Sequence, residues 1–316
     1  MKATLAIRQA VRPWVQRADA RILVGVSGGA DSMALSVATF LECKTLGIDP
    51  IAIIIDHQLQ DLSAEVAEQT RAELLQVGFE TVEIVTVNVE LIDGMEASAR
   101  RARYMAFDAA ILKYQPDYFF LGHTKNDQAE SVLLGLARGS GTRSLSGIAE
   151  VNGRYVRPLL DIDRATTEAT CAENGISPWA DPQNSDLHYA RVRVRNQVLP
   201  VLEVNLGPGV SDALARSAKI LREDADALDL LATQFFAGAD PLSVERLSEL
   251  PKAIRIRVLR QAIYATGAPE GALGAEHLAP VEALITDWHG QGEISLPGGV
   301  KVARISGRLS LLQQIS

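Results

Sequence analysis

Ser27-Gly28-Gly29-Ala30-Asp31-Ser32 sets two hydroxyls, two glycines and one carboxylate in six consecutive residues. Adjacent glycines let a backbone close around an anion with no Cβ in the way. Ser27 and Ser32 add hydroxyl donors, and Asp31 suits a metal ion better than the phosphates themselves. No lysine follows the glycines, so this is not the GxxxxGK[ST] loop of the common nucleotide hydrolases. Asp56-His57 closes a second apolar run, and Gly122-His123-Thr124 closes a third. Downstream, Asp127 and Glu130 are three apart and share one helix face. Asp31 and Asp127, with Glu130 beside them, form a set able to hold Mg²⁺ against a triphosphate, which nucleotidyl transfer requires. Taken singly, a glycine turn or a histidine at a strand end reads as structural. Repetition at three strand ends makes the case.

The elements that position these groups are legible in the hydrophobic pattern. Residues 1–17 read as a helix. Ile22 to Val26 is a short apolar run of the buried parallel-strand kind, and Met33, Leu35, Val37, Leu41 and Leu46 then recur at helical spacing. Strand, small-residue turn and helix together aim backbone N–H groups and a positive helix end at one spot, which suits phosphate. Ile51 to Ile55 is the next strand, and a helix runs from Ser63 to about Gln76, stopped by Gly78. Thr81 to Val89 alternates as a strand, Ala97 to Leu112 is helical, and Asp117 to Leu121 (DYFFL) is a strand. A helix then carries Asp127, Gln128, Glu130 and Ser131 as far as Ala137. Strands alternating with helices at this spacing predict an α/β fold with a doubly wound parallel sheet. Ligands of such sheets bind at the carboxyl ends of the strands, where all three polar clusters fall.

Past residue 140 the texture changes. Arg138, Arg143, Arg154 and Arg157 surround a glycine-rich loop, and residues 163–174 look helical. After a Pro-rich loop (Ser177 to Pro182), Arg191, Arg193 and Arg195 alternate with Val before Asn196, a pattern that fits a strand or the start of a helix. Residues 211–236 read as an acidic linker helix, Leu242 to Trp288 as helical, and Gly292 to Leu312 as short strands. The expected division is a catalytic domain over 1–208 and a linker helix with a smaller, mostly helical C-terminal domain over 209–316.

Composition narrows the class. The 316 residues are 47% hydrophobic and 22% charged, an ordinary globular balance. The N-terminus lacks a signal-peptide core and no run approaches membrane-spanning length, so a cytoplasmic protein without membrane attachment is expected. Cys43 and Cys171 lie far apart and form no zinc or redox motif. A net charge of −8 argues against bulk nucleic-acid affinity. Local arginine clusters, among them Arg100, Arg101 and Arg103, fit a particular RNA held by shape and phosphate contacts.

SGGADS between strand and helix resembles the PP-loop of the ATP pyrophosphatase superfamily, whose members cleave ATP between the α and β phosphates. Asp56-His57-Gln58-Leu59, Ala99 to Tyr104 (ARRARY), LGHTKNDQAES, ARGSG, Arg157-Pro158-Leu159-Leu160 and PWADPQNSD…RVRN then follow in order. The series is similar to that of tRNA(Ile)-lysidine synthetases over about residues 20–205, and the region ending in LPGGVKVAR resembles their small C-terminal domain. The resemblance implies a Rossmann-like PP-loop fold and a reaction using ATP and Mg²⁺. The C2 oxygen of the wobble cytidine in a CAU-anticodon isoleucine tRNA is adenylated, and L-lysine's amine displaces AMP to leave lysidine, which pairs with A rather than G. It also implies that Ser27, Gly28, Gly29, Ala30, Asp31 and Ser32 bind ATP, with Asp31 and Asp127 at the metal. Asp56, His57, His123, Asp127 and Glu130 would line the reaction centre, Arg103 would stabilise charge or orient substrate, and Asn196 with its neighbouring arginines would touch tRNA. A homodimer is compatible with the sequence.

Three departures stand out. Gln60 occupies a position where the family pattern usually has Arg, Thr124 one where a second His is frequent, and Ser131 one where Thr is usual. No catalytic role is assigned to Gln60 or Thr124. A tRNA thiolase would bring cysteine pairs, and a GMP or NAD synthetase would need an ammonia source and lacks the arginine-rich segments. A non-catalytic nucleotide- or RNA-binding protein on the same fold would have no need of Asp31, Asp56, His123 and Asp127.

Overall fold

Strand β1 (Ile22–Val26) is apolar at every position because both its faces are covered. Alternation sends Ile22, Val24 and Val26 to one side of the sheet and Leu23 to the other. The computed structural model describes residues 2–60, 62–90, 94–139, 141–269 and 271–314; Ser140 of the ARGSG stretch lies outside them. On the first side, Ile7, Val11 and Val15 of α1 (Lys2–Val15) join residues of α2 (Ala30–Leu46), of α3 (Ser63–Val77) and of the sheet. On the second, Phe107 and Ala110 of α4 (Met95–Tyr114) pack on Leu23, Ile51, Ile53 and Phe119.

The sheet is completed by β2 (Ile51–Asp56), β3 (Thr81–Thr86), β4 (Tyr118–Leu121), β5 (Val151–Asn152) and β6 (Tyr155–Val156). Its order is β3-β2-β1-β4-β6-β5, parallel except for the β5–β6 hairpin. The chain therefore reverses its direction of growth between β1 and β4, and such a switch opens a crevice at the carboxyl ends. The expected doubly wound sheet is present. The third strand stops at Thr86, three residues short of the expected Val89. The β5–β6 hairpin had no sequence signal, since two-residue strands are too short for a period and form here by pairing with β4 through Phe119 and Tyr155.

Helix α5 (Lys125–Ala137) follows β4, and α6 (Thr142–Leu145) precedes the hairpin. Helix α7 (Arg164–Glu173) is capped by Asp163, whose carboxylate accepts the Thr166 amide at 2.8 Å. The arginine-rich stretch is helical: α8 (Ala190–Arg193), a π turn over Val194–Val198, and α9 (Leu199–Leu206).

Two compact units are present, one formed by Met1–Leu134 with Gly147–Ala218 and the other by Gly135–Ser146 with Lys219–Ser316. Helix α10 (Val210–Phe236), read from sequence as the linker, runs through the second boundary. The second unit holds α11 (Val244–Glu249), α12 (Lys252–Ala265), α13 (Ala275–Thr286) and an antiparallel meander of β7 (Ile294–Leu296), β8 (Val300–Ile305) and β9 (Arg308–Gln313). Leu247, Leu259, Ile263, Leu284 and Val300 fill its core. Arg255 reaches Glu282 at 2.8 Å, both buried. Arg143 is held within this unit by Asp226 and Asp229.

Phe119 is fully buried beneath α4, so Phe119→Ala is expected to lower the unfolding free energy by about 3–5 kcal/mol, read as a drop in urea midpoint at unchanged slope.

Candidate active site

The glycine turn after β1 is shaped by both neighbours and hydrogen bonds. Gly28 has φ +80°, and a Cβ there would lie 2.6 Å from the Thr70 hydroxyl, so glycine is required on two counts. Ser27 donates its amide to Ser32 Oγ at 3.1 Å, and Ser32 Oγ donates to the Gly29 carbonyl at 3.0 Å. Gly29 is the N-cap of α2 and contributes no side-chain cap, so the first-turn amides present donors to an incoming anion. A Cβ at Gly122 would meet the Asp31 backbone at 3.1 Å; the bare glycine lets the end of β4 close on this loop.

These elements open onto a cavity of about 920 Å³ lined by Ser27, Asp31, Asp56, His57, Arg103 and His123 among others. That is the upper range for small-molecule pockets, with room for a nucleotide and a second reactant. Of the residues expected to bind ATP or line the reaction centre, all except Gly28 and Glu130 line it directly, whereas Asn196 does not. Glu130 lies beneath, fully buried, and Gly28 supports the loop.

Three carboxylates meet three guanidiniums on the α5 side. Asp31 accepts the Thr167 hydroxyl and the Arg164 Nε at 3.2 Å. Asp127 takes the Thr124 amide at 2.8 Å and hydroxyl at 3.0 Å on one oxygen, while its other faces Arg164 at 3.6 Å and Arg195 at 3.4 Å. Glu130 receives Arg195 on both oxygens at 2.6 and 3.0 Å, with Arg191 at 3.7 Å. Burial pushes Asp31 above the ordinary carboxylate range against the pull of Arg164 and Thr167, with Asp127 adding to the rise. Glu130 is raised by burial as well, with Arg195 opposing. Asp127 goes the other way: burial works against its charge, but His123, the Thr124 amide, Arg164 and Arg195 outweigh it.

Two histidines and further arginines line the same cavity. Asp56 accepts the Gln58 amide at 2.9 Å and is buried at the end of β2. Burial and then Arg103 hold His57 below its ordinary pKa, with Asp56 opposing. Burial depresses His123 further, helped by Arg157, Arg103 and Arg100 and opposed by Asp127. Both imidazoles are therefore neutral at pH 7, and the Nδ1 of each is buried with no partner among the described residues. Arg100 stacks on Tyr104 with its guanidinium 4.8 Å from the ring centroid. The Pro-rich loop is pinned over the cavity by Trp179, which donates its amide to the Gly28 carbonyl at 3.0 Å, and by Gln60, whose amide reaches Asp181 at 3.0 Å.

Sequence reasoning missed several of these. Arg164 and Thr167 had no motif to mark them; Asp31 and Asp127 at one sheet edge needing a cation were the only hint. Arg195, read as facing tRNA, turns into the carboxylate cluster, whereas Arg193 spends its donors on the Leu187 and His188 carbonyls. Thr124 and Gln60, given no catalytic role, are positioning groups. Thr124-x-x-Asp127 is half a capping box at the start of α5, and that spacing was visible in the sequence. Cys43 and Cys171 are free thiols buried in the first unit's core.

Mg²⁺ fits this set in one way. Among the described residues no three His, Cys, Asp or Glu side chains converge as a cage. Two carboxylates, Asp31 and Asp127, do share one guanidinium. A pair of carboxylates completed by substrate phosphates is how proteins usually hold Mg²⁺.

A glycine turn leading into an uncapped helix at the switch point of a parallel sheet, ringed by acids and arginines, defines a PP-loop nucleotide-binding domain. The family model of the PP-loop domain matches residues 2–202, and that of the TilS substrate binding domain matches residues 242–310. The chain is 46% identical to the tRNA(Ile)-lysidine synthase of Thermobifida fusca, with 96% of this chain and 94% of that protein covered. It is 48% identical to the tRNA(Ile)-lysidine synthase of Streptomyces coelicolor, covering 92% and 85%. The chain belongs to the tRNA(Ile)-lysidine synthase family. Among solved structures, a U34-tRNA thiolase from Methanococcus maripaludis with its [4Fe-4S] cluster superposes with a TM-score of 0.59 over 70% of this chain and 78% of that one, at 16% identity. That likeness is one of fold.

Two outcomes follow from the geometry. Unfolded histidine titrates near pH 6.5 while folded His123 stays neutral, so the unfolded state binds more protons below that pH and stability falls as pH drops from about 7 to 5. His123→Asn is expected to make that fall shallower, read from thermal midpoints of both proteins across the range. Thr124→Val removes one hydroxyl from Asp127 and is expected to cost about 1 kcal/mol, with an accompanying loss in kcat/KM for ATP.

Proposed function

We propose that this protein ligates lysine to the wobble cytidine of the CAU-anticodon isoleucine tRNA at the expense of ATP, forming lysidine and changing the codon read from AUG to AUA. The observation that carries the reading is the cavity at the β1/β4 switch, where a phosphate-binding turn and a carboxylate–arginine cluster share one space large enough for nucleotide and a second reactant. Family membership over nearly the whole chain supports the substrate.

ATP lies with its triphosphate on the amides and hydroxyls of Ser27 to Ser32. Asp31 and Asp127 would hold Mg²⁺, which would supply charge neutralisation to the triphosphate. The cytidine C2 oxygen attacks the α-phosphorus; the bond to pyrophosphate breaks and pyrophosphate leaves. Arg103, which lines the cavity, stabilises charge gathering on the phosphoryl oxygens. Lysine's amine then forms its bond to C2 as the C2–O bond breaks and AMP departs. The amine must be neutral to attack, and its proton passes to a group of the site. His57, neutral at pH 7 with an open ring nitrogen, is the group we assign to take it; burial and adjacent guanidiniums resist a proton on His123, and Asp127 is already engaged by Thr124, Arg164 and Arg195.

In this reading residues 1–208 carry the chemistry and 209–316 bind tRNA, the match of residues 242–310 to a substrate-binding domain supporting the second part. No helix of the described residues is long and apolar enough to cross a membrane, and we place the reaction in the cytoplasm with its substrates.

Incubation with ATP, Mg²⁺, labelled lysine and an unmodified CAU-anticodon isoleucine tRNA transcript is expected to give stable label in that tRNA. The CAU initiator methionine tRNA is expected to take none, and Asp31→Ala to abolish labelling. AMP formed with a different acceptor, or no ATP turnover with any tRNA, would overturn the assignment.

A further inference from the structure

Arg164 is held differently from its neighbour Arg195. Arg195 grips Glu130 through two short bonds at 2.6 and 3.0 Å, a fork geometry that fixes it in place. Arg164 instead spans two carboxylates with one longer contact to each, 3.2 Å to Asp31 and 3.6 Å to Asp127. Its backbone is anchored: it opens α7, and its amide donates to the Asn126 side chain at 3.0 Å. The side chain beyond that anchor is long and partly open to the cavity. Thr167, one turn on in α7, fixes the other Asp31 oxygen, so the carboxylate stays put whether or not the guanidinium does. A cation thus sits between the two acids on a long arm that borders the cavity holding the phosphate loop.

We propose that Arg164 is a latch that denies Asp31 and Asp127 to a bare divalent cation and yields to one arriving with ATP, whose phosphates offer the guanidinium a new anionic partner. The proposal rests on the reading of Asp31 and Asp127 as metal ligands. With the latch shut, three carboxylates face three guanidiniums, so an added dication meets no net negative charge to draw it in and finds Arg164 already between Asp31 and Asp127. Triphosphate brings several negative charges of its own and restores the demand for positive charge that metal and arginine then share. Metal entry is thereby made conditional on nucleotide, and the two acids stay aligned between turnovers. Arg164 acts on ATP and metal placement and is a positioning residue.

The test is Mn²⁺ retained with the full chain on ultrafiltration, with and without α,β-methylene-ATP, Mn²⁺ held by the analogue alone passing through and being counted as unbound. Wild type is expected to bind bare Mn²⁺ weakly and to gain strongly with the analogue. Arg164→Gln is expected to bind bare Mn²⁺ about tenfold tighter and to lose most of the analogue dependence, as removal of one partly buried charged partner implies. Arg164→Lys keeps the charge and is expected to resemble wild type. Bare-Mn²⁺ affinity unchanged in Arg164→Gln, while both proteins bind Mn²⁺ with the analogue, would overturn the latch and leave the metal ligands standing. No Mn²⁺ binding by either protein under any condition would overturn the metal assignment, and the latch with it. The wild type alone is also decisive, because equal affinity with and without the analogue overturns the latch regardless of how the variants fold.

Discussion

Charge neutrality in a buried space is the constraint on which this active site is built. Glu130 is fully buried and Asp127 nearly so, and a carboxylate removed from water without a partner is prohibitively costly. Each is met by arginine. Those arginines come from two separate elements: Arg164 from the start of α7, and Arg191 with Arg195 from the helical stretch after residue 190. The chain must therefore return twice to the carboxyl edge of the sheet after leaving it at β4. The Pro-rich loop pinned by Trp179 and Gln60 is what bridges those two returns. Chemistry on the cavity side and chain path on the far side have a common cause.

Charge is distributed unevenly around the cavity. On the α5 side carboxylates and guanidiniums cancel at short range. Arg100 and Arg103 line the cavity together with the two neutral imidazoles. The neutrality of the histidines is itself a product of these surroundings, since burial and adjacent guanidiniums both disfavour imidazolium. The thiolase that shares the fold shows that the sheet and crevice do not dictate the reaction. The side chains at its edge do, and here both cysteines are buried in the core.

The alternating Arg191, Arg193 and Arg195 show where one-dimensional reading loses its grip. A period of two places all three on one face if the segment is a strand. A helix puts Arg191 and Arg195 together and sends Arg193 elsewhere. The segment is helical with a π turn, and the division of labour follows: two arginines reach Glu130, and the third satisfies loop carbonyls. Local pattern leaves both readings open because Val between arginines serves either structure. The buried acids on α5 choose. The β5–β6 hairpin is a similar case, two residues a strand, existing because β4 offers an edge to pair with.

By itself the sequence determined the alternation of strands and helices, the phosphate turn, and the acids and histidines at the strand ends. These are local matters: an apolar run flanked by small residues, a helix period, a glycine where no Cβ fits. The order of motifs also carried the family. Tertiary structure alone decided which cation meets which acid, that Thr124 and Gln60 hold Asp127 and Asp181, and that Arg164 lies between Asp31 and Asp127. Those pairings join residues as far apart as 133 positions. No spacing rule reaches so far, because what selects such partners is the cost of leaving a buried charge unmet once the sheet has brought its strand ends together.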